Sequence, residues 1–312
     1  MKEEKIIVGE NTEYPLNGRL TLPDNLEQPV PAVVFVHGSG SSDMDSNIYA
    51  IRPFKDFAEG LAEQGVASIR YDKRSFTHPM KIRKIIKDFT AREEAIEDAI
   101  LASAILRNDP RIDSNKVFIA GLSLGGMLAP RIDAEGGDFA GLIILAGTPR
   151  RLEEVMKEQL NNKALKPKGL LMRFINWRMS KTLPKLENIY NISDEEARNI
   201  TVFGGMSALY YKDLGKKRVE EYLKDSTKPI LVMHGDADFQ VSTERDFGEY
   251  KRILQDHPDA TFKLYPGLNH AFMKSVCGER KSAKEEYSKP QHVESQVIED
   301  AAKWIKQIMP NN

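Results

Sequence analysis

The sequence predicts an α/β fold, a mostly parallel central sheet flanked by helices and interrupted by one inserted helical segment. Three observations carry this reading. Short, β-branched, nearly unbroken apolar runs recur along the chain, and most end near a glycine. Longer amphipathic stretches lie between them. From about Arg150 to Asp225 no strand-like run occurs, far longer than the few residues usual between elements of such a fold.

The six runs are AVVFVHG (32–38), VASIRYD (66–72), VFIAG (117–121), LIILAG (142–147), PILVMHG (229–235) and FKLYPG (262–267). Continuous apolarity marks strands buried on both faces. In REEAIEDAILASAILRND (92–109), Ile96, Ala99, Ile100, Ser103 and Leu106 share one helical face, with acids at the start and Pro110 past the end. VESQVIEDAAKWIKQIM (293–309) is a second amphipathic helix. The division that follows is a core over 1–149, a helical cap over 150–225 and the rest of the core over 226–312.

Hydrophobic residues make up 41% and charged residues 29%, enough to bury a substantial core. A net charge of −1 supplies no overall field for nucleic acid or an anionic membrane. The opening MKEEKIIVGE has no apolar core of a signal peptide, and no run approaches the ~20 apolar residues of a membrane span. The single cysteine, Cys277, excludes an internal disulfide and reads as an inert thiol. The expectation is a cytoplasmic protein with a small-molecule substrate and neither a nucleic-acid partner nor a membrane span. Oligomeric state stays open, a homodimer included.

GLSLG (121–125) fits G-x-S-x-G between a strand and a helix-like GGMLAPRIDA. Alone it also reads as a plain turn. In that context it can be an elbow that lifts Ser123 above the sheet edge, its glycines admitting the close backbone. A serine nucleophile needs a base, and the base an orienting acid. Of the six histidines, His37 and His234 each precede a glycine at a strand end, His78 precedes the serine, His257 lies before a strand, and His292 opens the last helix. His270, in YPGLNHAF, follows a strand's carboxyl end, where open α/β sheets place their sites. It is the expected base. LVMHGDADFQV offers two acids, of which Asp238 reaches further across and Asp236 braces the turn. The oxyanion donors should be the backbone N–H of Leu124 and that of Ser39, in the loop after VVFVHGSG.

HGSG, GLSLGG, HGDAD and GLNHAF, in this order, resemble the α/β-hydrolase superfamily across almost the whole chain. HGSGSSDMD, RYDKRS and DFTAREEAIEDA more closely resemble a bacterial branch of capped esterases, the EstD-type carboxylesterases. The resemblance implies an α/β-hydrolase fold and hydrolysis of short-chain acyl esters without cofactor or metal. It carries over Ser123, Asp238 and His270 as the triad and the Ser39 and Leu124 amides as the oxyanion hole. Leu122 departs from it, since many relatives have histidine or glutamine there. The same machinery also serves thioesterases, acyltransferases and cinnamoyl-type esterases, and a non-catalytic binder on this fold is the alternative from another class.

Asp43 and Asp45 in SSDMDS read as a capped turn rather than a metal site. YDKRS (71–75) reads as an ion-paired turn, with Asp72 holding Arg70, Lys73 or Arg74. From Asn161 to Leu186 there are seven basic residues (Lys163, Lys166, Lys168, Arg173, Arg178, Lys181 and Lys185) and no acid. Their charge would draw in anionic acyl substrates or a lipid surface. Leu170, Phe174 and Trp177 fall at helical spacing, either walling an acyl pocket or packing cap on core. The expected substrate contacts are Trp177, Tyr210 and Tyr211.

Overall fold

The computed structural model describes residues 1–161, 170–202, 205–276 and 282–308. Eight strands form one sheet: β1 (Lys2–Val8), β2 (Leu16–Leu22), β3 (Val30–Val36), β4 (Ala67–Tyr71), β5 (Ile112–Leu122), β6 (Leu142–Leu145), β7 (Ile230–Gly235) and β8 (Ala260–Tyr265), in the order β1-β2-β4-β3-β5-β6-β7-β8. β1 and β2 pair antiparallel, as do β2 and β4, and every later pairing is parallel. The six apolar runs of the sequence are β3 to β8. β1 and β2 were not expected, and their composition explains why. β1 (KEEKIIV) is a charged edge strand with only Val8 buried, so it lacks the unbroken apolarity of the interior strands. Charge on an edge also blocks pairing with another chain.

The inner strands alternate strictly, and each face feeds a different core. Ala32, Val34 and Val36 of β3, Ile119 of β5 and Ile144 of β6 enter one cluster. Val33, Phe35, Phe118, Ala120, Ile143 and Leu145 enter the other. The second core is closed by helix α1 (Pro53–Glu63), through Phe54, Phe57 and Leu61, and by the last helix, through Val297, Ile298, Trp304 and Ile305. The first core is closed by α2 (Glu97–Asn108) and α3 (Leu124–Ile132). Between β6 and β7 the described residues contribute helices and no strand of the sheet. These include α4 (Leu152–Asn161), α5 (Leu170–Thr182) and α6 (Ala208–Lys216). Ala208, Tyr210, Tyr211 and Leu214 of α6 join the first core.

A turn of π-helix, Arg92–Ile96, leads into α2. Ile96, Ala99, Ser103 and Leu106 are buried as the helical spacing predicts, but Ile100 is only half-buried. Glu94 and Asp98 point inward beside them, 9% and 2% exposed. Cations from the YDKRS turn meet them there. Lys73 pairs with Glu94, and Arg74 Nε donates to Asp98 Oδ1 at 2.9 Å. The turn is therefore ion-paired, but not by Asp72, whose Oδ1 instead accepts the Met44 amide at 2.8 Å. Arg70 goes elsewhere again, to Glu3 at 2.6 Å and Asp45 at 2.8 Å. Asp43 accepts the Asn47 amide at 3.0 Å, as a capped turn does.

Deleting one member of a buried ion pair strands the other without solvent. Asp98→Ala should cost about 3 kcal/mol at pH 7.5, read from urea unfolding. A loss under ~1 kcal/mol would mean that Glu97, also bonded to Arg74 at 2.9 Å, suffices alone.

Candidate active site

Ser123, Asp238, His270 and Ser39 follow β5, β7, β8 and β3, four parallel strands whose carboxyl ends share one edge of the sheet. The chain turns at Ser123 with φ 57° and ψ −114°, a conformation L-residues rarely adopt. Close backbone surrounds it. A Cβ on Gly121 would lie 2.1 Å from the Gly125 carbonyl oxygen, and one on Gly125 would lie 2.2 Å from that of Val36. Both positions therefore require glycine. The Ser123 amide donates to Leu145 O at 2.8 Å, tying the bend to β6.

His270 Nδ1 and Asp238 Oδ2 are 2.6 Å apart, with Asp238 9% and His270 6% exposed. The other oxygen of Asp238 accepts the amides of Gln240 at 2.7 Å and Val241 at 3.1 Å, which fixes the carboxylate. Asp236 braces the neighbouring turn, accepting the Gly267 amide at 2.6 Å. Asn269 holds the other flank: its Oδ1 accepts the amides of Ala271 and Met273, and its Nδ2 donates to buried Glu286 at 2.8 Å. Bonded through Nδ1, His270 presents Nε2 to whatever lies in front of it.

Ser123 and His270 open into a cavity of about 600 Å³ that Ser39, Leu124, Tyr210 and Tyr211 also line. Its apolar lining includes Ile82, Ile86, Phe89, Leu152, Val155, Met156 and Met206. Leu122, the departure from related sequences, also lines the cavity. The Ser39 and Leu124 amides have no protein acceptor among the described residues. Burial pushes the Tyr210 hydroxyl well above its ordinary pKa and that of Tyr211 up to about 12, so both remain hydrogen-bond donors. Phe89 stacks on Tyr210 with centroids 6.0 Å apart.

Trp177 is a correction. It is 56% exposed, stacks on the exposed Phe174 at 5.8 Å, and is not among the residues lining the cavity. Helical spacing placed these rings on one face of α5, but it could not say which way that face turns. Arg173, Arg178, Lys181 and Lys185 are likewise exposed and away from the cavity. Lys163, Lys166, Lys168 and Cys277 lie outside the described residues, as does the side chain of Leu170.

The remaining histidines are engaged elsewhere: His78 with Pro15 O, His257 with Ser226 O and His292 with Asp56. His234 is buried 3.9 Å from Asp238, and burial lowers its pKa. Sequence reading missed several polar groups that line the cavity, among them Glu94, Thr148, Gln159 and Gln240. No motif marks them. Only the fold brings them together.

A family model described as serine aminopeptidase, S33, matches residues 27–275. The chain belongs to this family of α/β-hydrolases. It is similar to the esterase EstD of Thermotoga maritima, 36% identical over 303 residues, which cover 97% of this chain and 67% of that protein. Among solved structures it is similar to Est1E from Butyrivibrio proteoclasticus, with a TM-score of 0.60, 18% identity, and 97% and 99% of the two chains covered. An esterase of Pyrococcus furiosus aligns with a TM-score of 0.58 and 12% identity, over 99% and 91% of the chains. These structures share the α/β-hydrolase fold. The enzyme class anticipated from the sequence, a carboxylic ester hydrolase, agrees with these relatives. No helix among the described residues is long and apolar enough to cross a membrane.

His37 of this hydrolase precedes the loop that carries Ser39. Its Nε2 lies 2.8 Å from Asp43 O, and burial, then the charge of Lys73, pushes its pKa down to about 3. An unfolded histidine titrates near 6.5. Between those values the unfolded chain binds a proton that the native one refuses, so stability rises with pH, by up to about 1.4 kcal/mol per unit. Asp98, raised to about 6 by burial, acts in the opposite sense. In His37→Gln, which keeps an N–H for Asp43 O, the Asp98 contribution is common to both proteins and cancels. Urea midpoints from pH 7 to 4 should fall less steeply in the variant than in wild type, and equal slopes would show that His37 is solvated.

Proposed function

We propose that this α/β-hydrolase is a serine carboxylesterase acting on short-chain acyl esters through Ser123, His270 and Asp238. One observation carries the reading: a serine on a positive-φ elbow and a histidine bonded to a buried aspartate open into the same cavity. Ser123 Oγ attacks the acyl carbonyl while His270 Nε2 takes its proton. Asp238 fixes the tautomer and stabilises the imidazolium. The oxyanion forms against the Ser39 and Leu124 amides. The alcohol departs with the proton from His270, and water, deprotonated by the same nitrogen, releases the acid.

Residues 150–225 act in this reading as a cap. Leu152, Val155 and Met156 of α4, with Met206 and the two tyrosines, roof the acyl end of the cavity. A cinnamoyl-type acyl group is the second reading, favoured by the aromatic wall of Phe89, Tyr210 and Tyr211. It is also in keeping with a structure of Est1E bound to ferulic acid, which aligns with a TM-score of 0.62 and 17% identity over 97% and 98% of the chains.

Hydrolysis of p-nitrophenyl esters from acetate to decanoate tests the first reading, with a feruloyl ester and an amino-acyl p-nitroanilide as rival arms. Turnover should peak among the short esters. It should fall by about 10⁴-fold or more in Ser123→Ala and by about 10⁴-fold in Asp238→Asn. Activity surviving in Ser123→Ala would refute the nucleophile. An inactive wild type that also fails to react with a fluorophosphonate would favour a binding protein. Filling the acyl end with Met206→Trp should move the chain-length optimum towards acetate, and an unchanged profile would place the acyl group elsewhere.

A further inference from the structure

Lys73 is the least expected group near the site. Its side chain is 4% exposed, and its ammonium is bonded to Glu94 on the π turn before α2. Its second contact is Gly38 O, at 2.9 Å. That oxygen belongs to the peptide unit whose N–H is the Ser39 amide. In a trans peptide the carbonyl and the N–H point in opposite directions. A cation holding the oxygen from beneath therefore turns the N–H the other way, and Ser39 lines the cavity.

The same peptide lies close to the nucleophile. A Cβ on Gly38 would sit 3.3 Å from Ser123 Cβ and 3.9 Å from Ser123 Oγ. The geometry points to Lys73 as a positioning residue for the oxyanion hole: buried and charge-balanced by Glu94, it orients the Gly38–Ser39 peptide and polarises its N–H. The inference rests on the reading of the Ser39 amide as an oxyanion donor. Three physical effects act together. A charged donor makes a hydrogen bond roughly twice as strong as a neutral one, so the loop is held firmly. A bond at the carbonyl polarises the peptide and strengthens its N–H as a donor. Finally, the dipole is fixed before the reaction, so no reorganisation is needed when charge develops on the substrate oxygen.

Glu94 completes the device. Without it a buried ammonium would be costly. The π turn carries Glu94 to this position, and Glu94 also lines the cavity. Lys73 thus touches neither substrate nor nucleophile in this scheme. It acts through one peptide bond.

The test compares wild type with Lys73→Met, Lys73→Arg and the double variant Lys73→Met/Glu94→Gln. The double variant removes both charges and guards against unfolding caused by a stranded carboxylate. Each is assayed on p-nitrophenyl acetate and titrated with a trifluoromethyl ketone, whose adduct carries the oxyanion, and with the product carboxylate, which does not. Loss of one oxyanion donor costs ~10²–10³-fold, and a donor left misaimed rather than deleted should cost about 10–100-fold in kcat with KM within about threefold. The ketone should lose affinity by a similar factor and the carboxylate should not. Lys73→Arg should recover part of kcat.

Wild-type kcat in the double variant, or a change confined to KM, would overturn the role of Lys73 while leaving the esterase reading intact. Parallel loss of both ligands with a fall in stability would show a merely structural pair. Failure of the esterase reading itself is recognised separately, by wild-type activity that does not depend on Ser123.

Discussion

The crossing of β3, β5 and α3 at Ser123 is the constraint on which the site depends. Three backbones meet there with no side chain between them, since Gly121 would strike Gly125 and Gly125 would strike Val36 if either carried a Cβ. This contact forces φ positive at Ser123 and starts α3 with its first amide beside that residue. A strained residue of this kind costs of order 1–3 kcal/mol and persists only where its surroundings over-determine it. Here the two packed cores and the bond from the Ser123 amide to Leu145 do so.

Around that crossing the polar groups are arranged in depth. His270 and Asp238 meet at the cavity, and behind them Gln240, Val241, Asn269 and Glu286 hold their loops by hydrogen bonds. On the opposite side Lys73 and Arg74 descend from the end of β4 to the acids of the π turn and α2. Buried charge of this kind adds little net stability over an apolar core, but it fixes relative placement, because each partner is costly without the other. The two halves of the site are thus braced from different elements, one from β7 and β8 and the other from β4 and α2.

Much of this was legible in the sequence because the relevant signals are local. Apolar runs mark strands buried on both faces, and glycines beside Ser123 mark a close approach. Chain order and position in the loop after a strand together single out His270, since His37 and His234 also sit at strand ends but each directly precedes a glycine. What was not legible depends on partners far away in the chain. β1 is hidden because an edge strand needs one apolar face and tolerates charge on the other. The direction in which α5 turns Trp177 depends on packing rather than spacing. Asp72 was matched to the nearest cations, yet Arg70, Lys73 and Arg74 take partners from β1, the 43–47 turn, the π turn and α2. Local charge proximity was a poor guide once all four side chains were buried.

The seating of α6 bears on how firmly the cavity wall is held. Ala208, Tyr210, Tyr211 and Leu214 belong to the same apolar cluster as Val34, Ile119 and Ile144 of the sheet. Lifting this helix would wet that shared surface at about 25 cal/mol per Å², so it is not a door that swings freely. The wall formed by the two tyrosines is better described as a mould of fixed shape. In the proposed esterase, discrimination between acyl groups would then appear as steric fit on entry and in acylation, and a new acyl preference would come from recasting the wall, residue by residue.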